Sequence, residues 1–129
     1  MKLFYIHAEK RKKIKLPITV GRKKGNTLRI PMPMISRHQF SIINEEKLLI
    51  QNKTNKGTTL LNGIIMEEDE KQELKNGDII EMAKTYKFTI KIKKDKVFVT
   101  GERIIAKDYS AKEIIMPIEQ EAIFSALSD

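Results

Sequence analysis

The sequence predicts an all-β domain, a β-sandwich of two antiparallel sheets followed by a short C-terminal helix. Three observations lead there: short β-rich segments recur along the first hundred residues, turn residues punctuate them, and the helical period is scarce before the last dozen positions. A chain of 129 residues holds one modest core rather than two. We read residues 1–100 as the domain and residues 101–129 as an extension.

Strands are expected at Lys2–His7, Lys13–Leu16, Ile18–Gly21, Thr27–Ile30, Gln39–Ile43, Lys47–Gln51, Thr58–Leu61, Ile64–Met66, Ile79–Met82, Tyr86–Ile92 and Lys96–Thr100. Each is bounded by residues to which positive φ or an Asx hydrogen bond comes cheaply, among them Gly25-Asn26, Asn52 to Gly57, Asn62-Gly63, Asn76-Gly77-Asp78 and Lys94-Asp95. In Tyr86–Ile92 the alternation is clean. Tyr86, Phe88, Ile90 and Ile92 share one face and Lys87, Thr89, Lys91 and Lys93 the other, the signature of a strand buried on one side. The run Glu67 to Glu73 carries five acids between strands and reads as a solvated loop. After Pro117, residues Ile118, Ala122, Ile123, Ala126 and Leu127 fall on one side of a helical wheel, with Glu119 and Glu121 in the first turn, where the helix dipole favours acid.

Composition removes several chemistries. With no cysteine there is no disulfide framework, zinc-thiolate site or thiol nucleophile, and two histidines, His7 and His38, do not make a metal centre alone. No apolar run approaches the length that spans a bilayer, and no basic stretch precedes the apolar Leu3–Ile6, so the expectation is a soluble, cytoplasmic chain without signal peptide or membrane insertion. No nucleophile, base and orienting group stand out as a set, and Gly21 to Asn26 lacks the lysine and hydroxyl order of a nucleotide phosphate loop. We therefore expect no enzyme, no cofactor and no metal.

The net charge of +8 is unevenly spread. Residues 1–40 hold eleven Lys or Arg against a single acid, Glu9; residues 41–80 hold five against eight, and residues 81–129 nine against eight. Such a local field is either a solvated face or a surface that holds phosphate groups on nucleic acid or on a modified protein. The few aromatic residues, mostly on strand-core patterns, show no stacking platform for bases, which places nucleic acid third among the readings.

Three short elements carry chemistry. Val20-Gly21-Arg22 and Ile35-Ser36-Arg37 each put arginine at a strand-loop junction, and Thr54-Asn55-Lys56-Gly57-Thr58 adds small donors. Guanidinium forks together with hydroxyl and backbone donors are what hold a phosphate dianion, because charge-assisted bonds are the shorter and stronger ones. Each contributes about 1.5–3 kcal/mol, so two or three would supply much of the roughly 8 kcal/mol of a micromolar complex.

Taken together, Gly21-Arg22, Leu28 with Ile30, Pro33, Ile35-Ser36-Arg37, Gly57-Thr58, Asn62-Gly63 and Leu74-x-x-Gly77-Asp78-x-Ile80 stand in the order and approximate spacing of a forkhead-associated (FHA) domain, which the chain resembles over roughly residues 1–93. The resemblance implies a sandwich whose loops at one end bind phosphothreonine peptides, so that the partner is a Thr-phosphorylated protein, such as a Ser/Thr kinase or its substrate. By position it implies that Arg22 and Ser36 contact the phosphate, that Arg37 helps neutralise it, and that Asn55 and Lys56 contact phosphate and peptide backbone. Gly21, Gly57, Asn62, Gly63, Gly77 and Asp78 would be architectural. One threonine methyl is worth only about 0.8 kcal/mol of burial, so on that basis alone the preference over phosphoserine is moderate.

Two positions depart from the family pattern. Gln39 stands where the family usually has histidine, and it can still hydrogen-bond and brace the loop. Lys56 stands where the family has asparagine, and one extra residue between Gly57 and Asn62 leaves the register of this loop open. Lys56 and the long tail motivate a second reading, in which the domain is a phosphate-independent scaffold or an assembly subunit, for example of a bacterial secretion system.

Overall fold

The computed structural model describes residues 2–7 and 10–104. Twelve strands form two sheets. In chain order they are β1 (Lys2–His7), β2 (Lys10–Ile14), β3 (Ile18–Gly21), β4 (Leu28–Arg29), β5 (Phe40–Glu45), β6 (Lys47–Asn52), β7 (Thr59–Leu61), β8 (Ile64–Ile65), β9 (Lys71–Glu73), β10 (Ile79–Met82), β11 (Tyr86–Lys93) and β12 (Lys96–Arg103). The seven-stranded sheet runs β2-β1-β12-β11-β10-β7-β8 and the five-stranded sheet β4-β3-β5-β6-β9. Among the described residues there is no helix, and the expected C-terminal helix falls outside them.

The sandwich is as the sequence predicts, with one difference: both sheets are mixed, because β1 pairs parallel to β12 and β3 parallel to β4. The apolar face expected for β11 is the centre of the core. Tyr86, Phe88 and Ile90 are buried and Ile92 partly so, and Phe88 meets Phe40 of the opposite sheet edge to face, with ring centroids 5.8 Å apart at 74°. Tyr5 and Tyr86 approach the same ring at 5.8 and 5.6 Å in T-shaped contacts, the geometry that the aromatic quadrupole favours. His7 is buried beside them and bonded through Nδ1 to the Gly101 carbonyl and the Tyr86 hydroxyl. Burial holds its pKa below the usual value, against the opposing pull of the Gly101 bond.

Most strands lie within a few residues of the expected bounds, with β12 running on to Arg103, and two depart further from the sequence reading. The second was expected at Lys13–Leu16 but lies at Lys10–Ile14, where Leu3 pairs with Ile14 and His7 with Lys10; four consecutive bases carry no alternation, and only the partner strand sets the register. β9 lies inside the acidic run expected to be a loop, with all three side chains exposed and Gln72 paired to Ile50. An edge strand that buries nothing has no period-two pattern to read. The Lys71 ammonium donates to both carboxylate oxygens of Glu45, at 2.9 and 3.1 Å.

The turn Met82-Ala83-Lys84-Thr85 has positive φ at both central residues, 49° and 57°, and closes through a bond from the Thr85 N–H to the Met82 carbonyl at 3.0 Å. That is a type I′ geometry, which favours Asn-Gly. An L side chain in the left-handed region costs roughly 1–2 kcal/mol, so Lys84→Gly is expected to stabilise the domain by about 1 kcal/mol and to raise its thermal midpoint by about 4–8 °C. Thermal denaturation checks this, and a lowered midpoint would contradict it.

Candidate phosphate-binding site

The end of β3 and the segment after β4 build the site. The Arg22 N–H donates to the Ser36 carbonyl at 2.9 Å and the Lys23 N–H to the Arg37 carbonyl at 3.3 Å, so Gly21-Arg22 and Ser36-Arg37, far apart in sequence, lie side by side. Gly21 permits this approach: a Cβ at that position would collide with the Arg37 carbonyl oxygen and stand 2.9 Å from the Asn26 amide nitrogen. Asn26, which is buried, ties the two segments together by donating from Nδ2 to the Lys23 carbonyl at 2.8 Å and to the Arg37 carbonyl at 2.9 Å.

Around this junction Arg22, Lys23, Lys24, Arg29 and Arg37 line an open cleft of about 370 Å³. The Arg22 Nε donates to the Ile35 carbonyl at 3.1 Å, which fixes the guanidinium plane. Arg29 reaches the cleft from β4, where it pairs in register with Gly21, and its Nε donates to the Arg22 carbonyl at 3.1 Å. Among the described residues, none of the five cations is ion-paired to an acid; the bridges present join Lys47 to Glu73, Lys71 to Glu45 and Lys87 to Glu102. Five positive groups around one concavity, without an acid partner among the described residues, create a local positive potential that favours anions.

A hydroxyl pair involves Ser36, the residue just before Arg37. Ser36 Oγ lies 2.8 Å from Thr54 Oγ1, and Thr54, itself buried, accepts the Lys56 N–H at 3.3 Å. With Thr54 donating to Ser36, the Ser36 proton is left to point at an incoming oxygen. Asn52 supports this loop from below by donating to the carbonyls of Thr54, Met66 and Glu67.

Gln39 is fully buried and spans the base of the site. Its Oε1 accepts the Ser36 N–H at 2.8 Å, while Nε2 donates to the hydroxyls of Thr58 and Thr59 at 2.9 and 2.8 Å. Glutamine thus braces the Ser36 loop against β7, as the sequence reading allows. Gln39→Ala removes all three bonds and leaves the part-buried Ser36 N–H without its acceptor. Such an orphan costs about 1–3 kcal/mol, so a loss of about 2–3 kcal/mol is expected in urea denaturation, and an unchanged midpoint would contradict the bracing role.

Of the sequence-predicted residues, Arg22 and Arg37 line the cleft and Ser36 joins them through its backbone. Asn55 and Lys56 are exposed on the adjoining turn, and it is Thr54 that faces Ser36. Gly57, Gly63 and Gly77 adopt φ values of 68°, 81° and 91°. Asn62 and Asp78 form a brace: Asn62 Nδ2 donates to Asp78 Oδ1 at 2.9 Å, Asn62 Oδ1 accepts the Ile79 N–H, and Asp78 Oδ2 accepts the Lys75 N–H. The sequence reading missed Lys23, Lys24 and Arg29, and named Thr54 only as part of the donor-rich turn. Leu28 and Ile30 are buried, so alternation sets Arg29 on the other face of its strand, but only the pairing of β4 with β3 brings it to the cleft.

A family model, the FHA domain, matches residues 18–83, just over half of the chain. The chain belongs to the FHA family. FHA domains are interaction modules, and this one shares its fold with solved structures. It is similar to Mycobacterium tuberculosis EmbR, solved with a low-affinity phosphopeptide, with 17% identity and a TM-score of 0.57 over 66% of this chain and 22% of that one. An FHA domain of an Arabidopsis thaliana hypothetical protein aligns with 21% identity and a TM-score of 0.53 over 78% and 80% of the two chains. The MEK1 FHA domain bound to a HOP1 phosphothreonine peptide aligns with 24% identity and a TM-score of 0.50 over 58% and 82%. No curated protein matches.

Proposed function

We propose that this FHA domain is a phosphothreonine-peptide-binding adaptor that recruits its partner after a Ser/Thr kinase has acted, in the cytoplasm and without catalysis of its own. The observation that carries the reading is the cleft of five cations without acid partners, set beside the Ser36–Thr54 hydroxyl pair. A phosphothreonine brings a charge of about −1.5 to −2 and three strong acceptor oxygens, which Arg22, Arg37 and the Ser36 hydroxyl suit in number and chemistry. Two related structures hold phosphopeptides, which supports the class of ligand.

Lys56 fits this reading without loss of the site, since the hydroxyl that faces Ser36 comes from Thr54 and an exposed ammonium adds to the positive rim. The test is calorimetry of matched threonine peptides with and without the phosphate. At least a tenfold difference in affinity is expected; equal affinities would end the reading and favour a phosphate-independent scaffold.

A further inference from the structure

The cleft is larger and more positive than one phosphoryl group requires. A phosphate group occupies the space of about three waters, on the order of 90 Å³, against a cleft of about 370 Å³. Its charge of about −2 meets two guanidinium groups at the Arg22–Ser36–Arg37 junction. Lys23, Lys24 and Arg29 then remain on the same concavity, again with no acid paired to them among the described residues.

These three come from the turn after β3 and from β4, whereas Ser36 and Arg37 come from the segment before β5. Arg29 is pre-set: its Nε is bound to the Arg22 carbonyl, which leaves the outer guanidinium nitrogens to the cleft. Among the described residues no acceptor meets those nitrogens. The turn carrying Lys23 and Lys24 is pinned by two bonds from Asn26 to the Lys23 carbonyl, so the backbone beneath both ammonium groups is fixed. A planar fork already held by a neighbouring residue's carbonyl loses little freedom on meeting a carboxylate or phosphate.

We propose that Arg29, with Lys23 and Lys24, forms a second anion position beside the phosphothreonine site, so that the preferred ligand carries a further negative group next to its phosphothreonine. This rests on the phosphothreonine reading above and narrows it. An aspartate or glutamate side chain and a second phosphorylated residue share the chemistry that this position selects.

Calorimetry on the full chain with four phosphothreonine peptides tests it: one with neutral flanks, one with acids on the N-terminal side, one with acids on the C-terminal side, and one with a second phosphorylated residue. At least one second anion is expected to raise affinity fivefold or more over the neutral peptide. Arg29→Gln should remove that gain, so that within the folded variant the peptides with a second anion bind no more tightly than the neutral phosphothreonine peptide does. Lys23→Gln with Lys24→Gln, both exposed, should reduce the gain in the same way and serves if the Arg29 variant does not fold. A gain from acids alone, from the second phosphate alone, or from both identifies the source and supports the second position. No gain from any second anion would overturn it, as would a gain that survives in the folded variants. Equal affinity of the unaltered chain for the neutral peptide with and without its phosphate would instead defeat the underlying function.

Discussion

Arg22→Ala is expected to lower affinity for a phosphothreonine peptide by a hundredfold or more while leaving the weak binding of the unphosphorylated peptide unchanged. Arg22 is the cleft cation whose position is set from three directions: its N–H bonds to Ser36, its Nε to Ile35, and its carbonyl accepts from Arg29. A bidentate pair of charge-assisted bonds is worth about 3 kcal/mol or more, roughly two decades of affinity. Arg22→Lys separates charge from geometry: an ammonium keeps the charge but not the fork, so it should restore only part of the loss. Because the Ile35 contact also disappears in the alanine variant, the thermal midpoint should be measured alongside. A fall in phosphopeptide affinity of less than tenfold in a folded variant would mean that the phosphate is held elsewhere.

The second large effect belongs to Gly21. In Gly21→Ala the new methyl carbon meets the Arg37 carbonyl group, with its carbon at 2.8 Å, and the Asn26 amide at 2.9 Å. Both are fixed: the Arg37 carbonyl accepts from Lys23 and Asn26, and Asn26 is buried. Relief requires the two site segments to separate, which breaks the very bonds that bring Arg22 beside Ser36. Overpacking of this kind costs about 1–3 kcal/mol and sometimes more, and for a domain of this size about 3 kcal/mol corresponds to more than about 10 °C in thermal midpoint. Phosphopeptide affinity should fall with it. A variant that melts within about 2 °C of wild type and still binds would show that the close approach of residues 21 and 37 is not needed.

How far the sequence reached depended on whether a residue's role was local. Strands that bury one face, such as β11 and β3, announce themselves by alternation, and Ile18–Gly21 and Ile79–Met82 have the expected bounds. The turn residues of Asn62-Gly63 and Gly77 were legible because positive φ is a property of the single residue. β9 was hidden because an exposed edge strand gains backbone bonds and no burial. Residues that owe their place to tertiary packing were harder. Arg29 joins the cleft only through the parallel pairing of β4 with β3, and Thr54 faces Ser36 only once the loop after β6 folds over it. Arg22, Ser36 and Arg37 came from motif spacing, which located the site without showing its extent. The basic excess of the first forty residues also divides in a way no count reveals: five of its eleven cations line the cleft, and the other six lie on β1, on β2 and at Lys15.

The most direct test is a backbone amide NMR titration of the isotope-labelled chain with a phosphothreonine peptide. Saturable shifts confined to Arg22, Lys23, Ser36, Arg37 and Thr54 to Lys56, absent when the peptide lacks its phosphate, are the expected result. Shifts that cluster away from these residues, or that are the same for both peptides, would contradict a phosphate receptor at this rim of the sandwich.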